Sequence, residues 1–357
     1  MTAVSMLTGT TTAAASAKAG TAAPDVFRSR RVWGLLLLLA ALVGAATLSL
    51  LVGSNMRSLP ETVDALLHRD GSETSLIVWT LRVPRTVLAV VSGVAFALAG
   101  GLIQALTRNP LADPGILGVN AGSGLAVTLG VGLFGATGGH SVMWLAFGGA
   151  LLATVCVYLV GGGGRGQASP VTLVLAGVAL GALFGGVGAA VELLDPETFR
   201  ALRSWGLGTV AVVDFSGVAL LVPYLLVALV LVLVIAPSLN ALALGDEFAT
   251  ALGSNVARTR VLGLVAVTLL AGGGTALTGG IAFVGLMVPH VVRWFTGPDQ
   301  RWVLGYCLLA GPVLVLLADV LGRVLTPPSE IEAGLVTAVV GAPVLIALVR
   351  RKRASGL

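Results

Sequence analysis

The sequence predicts an all-α membrane protein with about ten transmembrane helices. Of its 357 residues, 56% are hydrophobic and only 10% are charged, and the mean hydropathy is +1.00. A soluble domain carries about 25% charged residues, so this chain has too few to cover a water-soluble core. Its apolar runs are about twenty residues long, the length of a helical span, whereas a membrane β-barrel needs alternating segments of about ten.

Ten apolar runs are the predicted spans, and the eighth is short enough to be re-entrant. They cover residues 32–53, 84–106, 116–135, 142–161, 171–190, 216–236, 260–279, 282–295, 302–322 and 333–349. The 49 glycines predict close contacts between these helices, because small residues let helix backbones approach one another.

The chain ends flank a single membrane domain at residues 32–350. Residues 1–31 are rich in Ala, Thr and Ser, which predicts a disordered cytoplasmic tail. The first run resembles a signal peptide, but it is as long as a full span and no cleavage site follows, so we interpret it as a retained helix. Residues 351–357 form a basic cytoplasmic tail.

The distribution of Lys and Arg supports this topology. With the amino terminus in the cytoplasm, about twice as many basic residues fall on the inner side as on the outer side, as the positive-inside rule requires. An even number of spans also places the Arg-Arg-Lys-Arg stretch at residues 350–353 inside, which favours ten spans over nine or eleven. Both termini are therefore predicted to be cytoplasmic.

Little in the sequence suggests that the chain energises or catalyses a reaction itself. Carriers driven by ion gradients bury ionisable side chains near the midplane, whereas Glu192, Asp214 and Asp319 lie near predicted span ends. Lys18 and Lys352 are the only lysines, and neither completes a G-x-x-x-x-G-K-[ST] nucleotide loop. A secondary carrier and an intramembrane enzyme remain as alternatives, although Ser, His and Asp are too scattered for a catalytic cluster.

Two stretches of the sequence resemble one another. Residues 97–110 (ALAGGLIQALTRNP) and 276–289 (ALTGGIAFVGLMVP) share an Ala-Leu pair, a glycine pair and a proline at the same spacing. In the predicted topology they run in opposite directions, as the halves of an inverted repeat do. The predicted repeat relates spans 2–5 to spans 7–10.

Four stretches together resemble the permease subunits of type II ABC importers for iron-siderophores, haem and cobalamin. They lie in this order at residues 81–122, 242–260, 279–297 and 327–348, and the resemblance extends over about residues 33–350. It implies a bacterial plasma-membrane permease for ferric siderophores, with haem or cobalamin as alternative cargo. It also implies a dimeric pathway lined mainly by spans 2, 5 and 10.

The resemblance further implies the partners. These are a second permease subunit, the same or homologous, two ATP-binding-cassette ATPases, an extracytoplasmic substrate-binding lipoprotein and membrane lipid, with no nucleic acid. ATP and Mg are expected on the ATPases, so no cofactor is expected on this chain. No catalytic residue and no metal site is predicted in the permease itself.

The segment after span 2 is the candidate cytoplasmic gate. Its prolines cannot continue a helix, and irregular backbone at membrane depth persists only where it lines a cavity or lies buried in protein. Asn109 and Asp113 carry oxygens that can accept bonds from the freed amides. An ordinary capped loop is the alternative; the candidate residues are Asn109, Pro110, Leu111, Ala112, Asp113 and Pro114.

A short amphipathic helix is predicted between spans 6 and 7. Its acids lie at the start, where they complement the helix dipole, and its glycines bracket it. By resemblance it is the coupling helix that docks on an ATPase, and interfacial packing is the alternative. The residues are Leu244, Gly245, Asp246, Glu247, Phe248, Ala251, Leu252 and Gly253.

Three arginines at the outer side run against the charge bias: Arg82, Arg85 and Arg323. By resemblance they pair with glutamates of the binding protein, since a guanidinium group can hold a carboxylate bidentately. Arg85→Glu is then expected to weaken docking and leave membrane assembly intact. The alternative is snorkelling or local pairing with Asp319, Glu330 or Glu332.

The eighth span carries a structural motif made of Gly285, Pro289, His290 and Arg293. A metal site needs several ligands, so we expect His290 to bond backbone near the broken helix rather than to hold a metal. The glycine-rich loop before span 5 departs from the family pattern. The resemblance therefore does not specify a second gate near Gln167–Val171.

Overall fold

The computed structural model describes residues 23–53, 57–136, 138–162, 170–211, 215–327 and 329–350. These residues form fourteen α-helices, a π-helical turn at Val78–Arg82 and a 3-10 turn at Pro114–Leu117. The helices are α1 Ala23–Leu51, α2 Leu59–Leu67, α3 Glu73–Ile77, α4 Val83–Thr107, α5 Val119–Phe134, α6 Gly139–Gly162, α7 Pro170–Leu194, α8 Pro196–Gly206, α9 Phe215–Ala243, α10 Asp246–Ala251, α11 Val256–Thr278, α12 Val284–Thr296, α13 Gln300–Leu325 and α14 Ala333–Arg350.

The all-α membrane fold is confirmed. Seven helical segments in the described part of the chain are long and apolar enough to cross a membrane, and α5 and most of α14 are shorter apolar helices. Each of the ten predicted runs coincides with one helix, the short eighth run being α12. The first helix begins at Ala23, upstream of the predicted start, while residues 1–22 and 351–357 lie outside the described residues.

The helical segment around span 2 is longer than the prediction because it starts at Glu73. Pro84 has no amide hydrogen to donate to the carbonyl of Thr80, and its ring would clash with that carbonyl in a regular helix. The backbone widens into the π-helical turn Val78–Arg82 just before the proline. This local widening lies beside the arginines expected at the outer mouth.

Backbone contacts at glycines hold the centre of the molecule together. A Cβ atom on Gly93 of α4 would lie 2.6 Å from the backbone of Pro312 in α13. A Cβ atom on Gly100 would overlap the carbonyl oxygen of Gly285 in α12. The predicted role of small residues in helix contacts is therefore confirmed, with α4 as the helix on which α11, α12 and α13 pack.

The helix neighbours repeat in the two halves of the fold. In the first half α5, α6 and α7 contact one another, and in the second half α12, α13 and α14 do the same. Across the halves α4 packs on α12 and α13, while α11 packs on α5 and α6, and α4 and α11 contact each other. This reciprocal pattern is the one expected of the predicted inverted repeat.

The residue equivalence suggested by the sequence echo needs correction. Gly100 lies inside α4, whereas Gly279 follows the last residue of α11, so the two glycine pairs are not structurally equivalent. The helix ends correspond instead through an Ala-Leu-Thr triplet that closes each helix, at 105–107 in α4 and 276–278 in α11. The similarity of the two stretches therefore identified the correct pair of helices, α4 and α11, but aligned their residues incorrectly.

The central glycine contact makes a direct prediction. Gly100→Leu would drive side-chain atoms into the backbone of α12, so we expect the free energy of unfolding to fall by about 3 kcal/mol or more. Thermal unfolding of the purified protein in detergent measures this loss. Gly44→Leu is the matched control because a Cβ atom on Gly44 would meet nothing within 4 Å; equal stability of the two variants would contradict the contact.

Candidate functional site

Charged and polar residues collect at the two ends of the helix bundle. One end holds Arg108, Asp246 and Arg260, all predicted to be cytoplasmic. The opposite end holds the group around Arg85 and Asp319, predicted to be external. Residues that were predicted to lie on the same side of the membrane are therefore found at the same end of the bundle.

The candidate gate begins with a sharp reversal at the end of α4. Arg108 adopts the left-handed conformation, with φ 50° and ψ 35°, which is uncommon for a residue other than glycine. The Asn109 side-chain oxygen accepts the amide of Leu111 at 3.0 Å, and the Asp113 carboxylate accepts the amide of Gly115 at 2.8 Å. The two polar side chains thus bond the freed amides, as the sequence predicted.

The apolar residues of the gate segment face different surroundings. Leu111 is 47% exposed, whereas Ala112 is buried, so Leu111 presents its apolar side chain at the surface and Ala112 does not. Pro110 and Leu111 border a narrow hollow formed with four helical neighbours, Leu286, Met287, His290 and Leu345. The gate segment therefore lies against α12 and α14.

The environment of Asp113 also affects its ionisation. Burial raises the pKa of the Asp113 carboxyl above its ordinary value, and the bond from the Gly115 amide lowers it by a smaller amount. The same side chain caps the 3-10 turn that leads into α5. Asp113 thus fixes the backbone at the exit of the gate segment.

The predicted short helix between spans 6 and 7 is α10. Gly245 precedes it with φ 108°, and Gly253 follows it with φ 81°, a conformation that favours glycine at the end of a helix. Leu244, Phe248 and Leu252, which lie before, within and after α10 at intervals of four residues, are each more than 60% exposed. Such a row of exposed apolar side chains suits contact with another protein.

Asp246 connects α10 with the gate segment. Its carboxylate accepts a bond from Arg108 at 3.2 Å and bonds from Arg260 of α11 at 2.8 and 3.0 Å. The carboxylate is partly exposed, so these ion pairs contribute little stability and mainly fix a geometry. The first residue of α10 is thereby joined to the residue at which α4 ends.

Two of the three outer arginines, Arg85 and Arg323, form a mostly buried network with Asp319. The Asp319 side chain is 1% exposed and lies between Arg85, at 2.6 Å, and Arg323, also at 2.6 Å. Arg85 has a second carboxylate partner in Glu330, at 2.6 Å. Two cations thus share one buried carboxylate, and Glu330 adds a partly exposed one.

Arg82 and Arg323 also donate hydrogen bonds to backbone carbonyl groups at the end of α1. Arg82 donates to the carbonyl oxygens of Leu50 and Leu51, and Arg323 donates to that of Val52 at 2.6 Å. The last carbonyl groups of a helix have no partner within the helix, and cations are favourable there. Arg82 and Arg323 therefore fasten the outer end of α1 to the π-helical turn before α4 and to α13.

This arrangement differs from the exposure expected of docking residues. Arg82 and Arg323 are 6% and 4% exposed, and the Arg85 side chain is 15% exposed. Local pairing, the alternative given by the sequence, is the arrangement in this structure. Arg85→Glu would place a third carboxylate beside Asp319 and Glu330, so we now expect it to impair assembly as well as docking.

The motif of α12 is assembled around a glutamine that the sequence analysis missed. Gln104 of α4 donates to the carbonyl oxygens of Gly285 and Leu286, and its own oxygen accepts a bond from Arg293. His290 packs edge-on against Trp294, and its Nδ1 atom has no hydrogen-bond partner. Gln104, and not His290, therefore bonds the backbone at the start of the broken helix.

The helices expected to line a pathway differ in burial. Most of α4 is buried inside the chain, so it has no long face to offer to a pathway between subunits. By contrast α7 is largely exposed and α14 carries exposed residues such as Val339. The glycine-rich part of the loop before α7, with most of the proposed second gate near Gln167–Val171, lies outside the described residues.

Residues 37–351 match the FecCD transport family. The chain belongs to this family. The ferric enterobactin transport system permease protein FepD of Escherichia coli (strain K12) is 46% identical over 333 residues, which cover 93% of this chain and 98% of that protein. The hemin transport system permease protein HmuU of Yersinia pestis is 34% identical, over 91% of this chain and 96% of that protein.

Solved structures give the same fold for this FecCD transport family member. An inward-facing structure assigned to a metal-chelate type ABC transporter matches with a TM-score of 0.73 and 29% identity, over 91% of this chain and 99% of that one. The structure of PsaBC from Streptococcus pneumoniae in complex with Fab matches with a TM-score of 0.55 and 16% identity, over 76% and 92%. The second likeness concerns the fold alone.

The outer network of this FecCD family protein can be tested through its shared carboxylate. Asp319→Asn leaves two nearly buried arginines without their main counter-charge, so the free energy of unfolding is expected to fall by about 3 kcal/mol. Glu330→Gln, which removes a more exposed partner of Arg85, should cost less than about 1 kcal/mol. Thermal unfolding of both variants checks the difference, and an unaltered Asp319→Asn protein would refute the structural role.

Proposed function

We propose that this chain is the membrane permease subunit of an ABC importer for ferric siderophores. The observation that carries the proposal is the 46% identity, over nearly the full length, with a permease named for ferric enterobactin transport. A permease named for iron(3+)-hydroxamate import, FhuB of Bacillus subtilis (strain 168), is 34% identical over 93% of this chain. Haem is the second candidate cargo because a hemin permease is also 34% identical, and cobalamin is a third.

The proposed assembly contains two permease subunits, two ATPases and one external binding protein. The exposed apolar side chains in and beside α10, those of Leu244, Phe248 and Leu252, support docking of an ATPase at this helix. ATP and Mg would bind to the ATPases, in keeping with the missing nucleotide loop of this chain. The largely exposed α7 supports a second permease subunit packed at that side.

Movement of α10 would reach the gate through Asp246. If a closing ATPase displaces α10, Asp246 pulls on Arg108, which lies at the reversal between α4 and the gate segment. Pro110 and Leu111 border α12 and α14, whereas Pro114 lies against Gly285 at the core contact. The part of the segment that would move is therefore its beginning, while Pro114 stays packed at the core. The proposed role of residues 109–114 is thus a movable closure coupled to α10.

The binding protein would dock at the opposite end. Among the three predicted docking residues, Arg85 is the one nearest the surface, and its partner Glu330 is partly exposed. We therefore assign first contact to Arg85 after exchange of Glu330 for a carboxylate of the binding protein, while Arg82 and Arg323 hold α1. Both termini would face the cytoplasm of a bacterial plasma membrane, with the binding protein outside.

Reconstitution tests this function. The permease alone in proteoliposomes should transport nothing, and the permease with its ATPases and the loaded binding protein should take up a radiolabelled ferric siderophore only when ATP is inside. Haem supplied in place of the siderophore tests the second cargo. Accumulation driven by an ion gradient, with the permease alone, would establish the secondary carrier instead.

The proposed link between α10 and the gate gives a separate prediction. Asp246→Asn weakens the pairs with Arg108 and Arg260, so uptake per ATP hydrolysed should fall about fivefold while ATP hydrolysis continues, a loss of about 1 kcal/mol of coupling. Glu247→Gln is the matched control at the next position. Parallel measurement of uptake and phosphate release gives the ratio, and an unchanged ratio in Asp246→Asn would remove this residue from the coupling path.

A further inference from the structure

A polar cavity lies between α5, α7, α8 and α11, apart from the gate and from the outer arginine network. Its volume is about 620 Å³, within the range of small-molecule sites. Residues of all four helices line it. The polar lining residues, and the glycine beside them, are Asn120, Thr128, Glu192, Arg203, Thr275 and Gly280.

Two hydrogen bonds fix the polar wall of the cavity. The Thr275 hydroxyl of α11 donates to the Asn120 side-chain oxygen of α5 at 3.0 Å. The Thr128 hydroxyl of α5 donates to the Glu192 carboxylate of α7 at 3.3 Å. Each bond crosses between helices, so the amide and the carboxylate are held in place before any ligand arrives.

Glycines leave these polar groups accessible from the cavity. The Asn120 amide nitrogen is 3.5 Å from the position that a Cβ atom on Gly280 would occupy, so a larger residue there would cover it. A Cβ atom on Gly124 would meet nothing within 4 Å, which places open space beside α5. The wall therefore offers an amide donor and a carboxylate to whatever fills the cavity.

The cavity also brings opposite charges to one wall. Glu192 stands near the end of α7, and Arg203 is an exposed residue of α8. Glu192 lies just beyond the predicted fifth span, and Arg203 lies on α8, a polar helix outside the predicted spans, so this wall is at the predicted external end of the bundle. Charges that line a cavity attract or repel ions that approach it, so these two residues can act on a charged ligand.

We infer that this cavity is a cargo-contact site at which Glu192 and Arg203 discriminate metal chelates by their net charge. The Asn120 amide would donate to oxygen atoms of the chelate. The inference rests on the proposed importer function and adds a specificity site to it. An anionic ferric tris-catecholate is repelled by Glu192 and attracted by Arg203, whereas an uncharged ferric trihydroxamate responds little to either charge.

The test compares these two chelates in the complete transporter. Permease, ATPases and membrane are reconstituted together, and each chelate is supplied on a binding protein that carries it. Initial uptake at increasing concentrations of loaded binding protein gives kcat, which reports passage, and KM, which reports docking. The quantity compared is the ratio of kcat for the anionic chelate to kcat for the uncharged chelate.

The two charge-removing variants should move this ratio in opposite directions. Glu192→Gln should raise it at least about threefold and Arg203→Gln should lower it by a similar factor, because each variant removes one sign of charge from the same wall. KM should stay unchanged in both variants. Glu197→Gln, an exposed glutamate of α8 outside the cavity wall, is the matched control and should leave the ratio unchanged.

The outcomes separate this inference from the proposed function. Equal changes of kcat for both chelates, a change confined to KM, or an unchanged ratio in an active transporter would each overturn the inference alone. Arg203→Gln is at an exposed position, so it decides the question even if Glu192→Gln fails to assemble. A wild-type complex without ATP-dependent uptake would overturn the proposed function, and the inference with it.

Discussion

The close approach of helix backbones at glycines is the constraint on which the rest of the molecule depends. Within hydrocarbon, helices gain little from burying apolar side chains, so packing and polar bonds between helices must hold them together. Gly93 and Gly100 bring α13 and α12 against α4. Because Gly285 lies directly against α4, Gln104 can reach the carbonyl groups at the start of α12. The broken helix is thus supported by the same contact that fixes the core.

The two ends of the bundle use charge in different ways. At the outer end, Asp319 and Arg323 are almost fully buried and tie α1 and α4 to α13. At the inner end, Asp246 and Arg108 are more than one third exposed and join only a short helix to a bent segment. Buried pairs are costly to separate, whereas exposed pairs are not. Separating the network around Asp319 would therefore cost more than separating Asp246 from Arg108, which is consistent with the proposed movement of α10.

Sequence reasoning located most of the elements near the candidate site but not their partners. The prolines around residue 110, together with Asn109 and Asp113, predicted a bent segment, and the structure has it with both side chains bonded to backbone amides. The glycine-bracketed α10 was also predicted. Gln104 was missed because a single glutamine in an apolar helix has no periodic signal, and its partners lie far along the chain, in α12. The inward turn of the outer arginines was given only as the alternative, since residue type alone does not fix which carboxylate an arginine meets.

The sequence by itself determined the membrane class, the positions of the ten apolar helices and the family resemblance, and it predicts the side on which the charges lie. Each of these depends on composition or on short sequence patterns, such as the length of an apolar run. Such patterns predict local structure without any knowledge of tertiary contacts. Only the tertiary structure decided the register of the two halves, the burial of α4, the sharing of Asp319 by two arginines and the cavity beside Glu192. These features join residues that are far apart in the chain, so they exist only after the helices have packed.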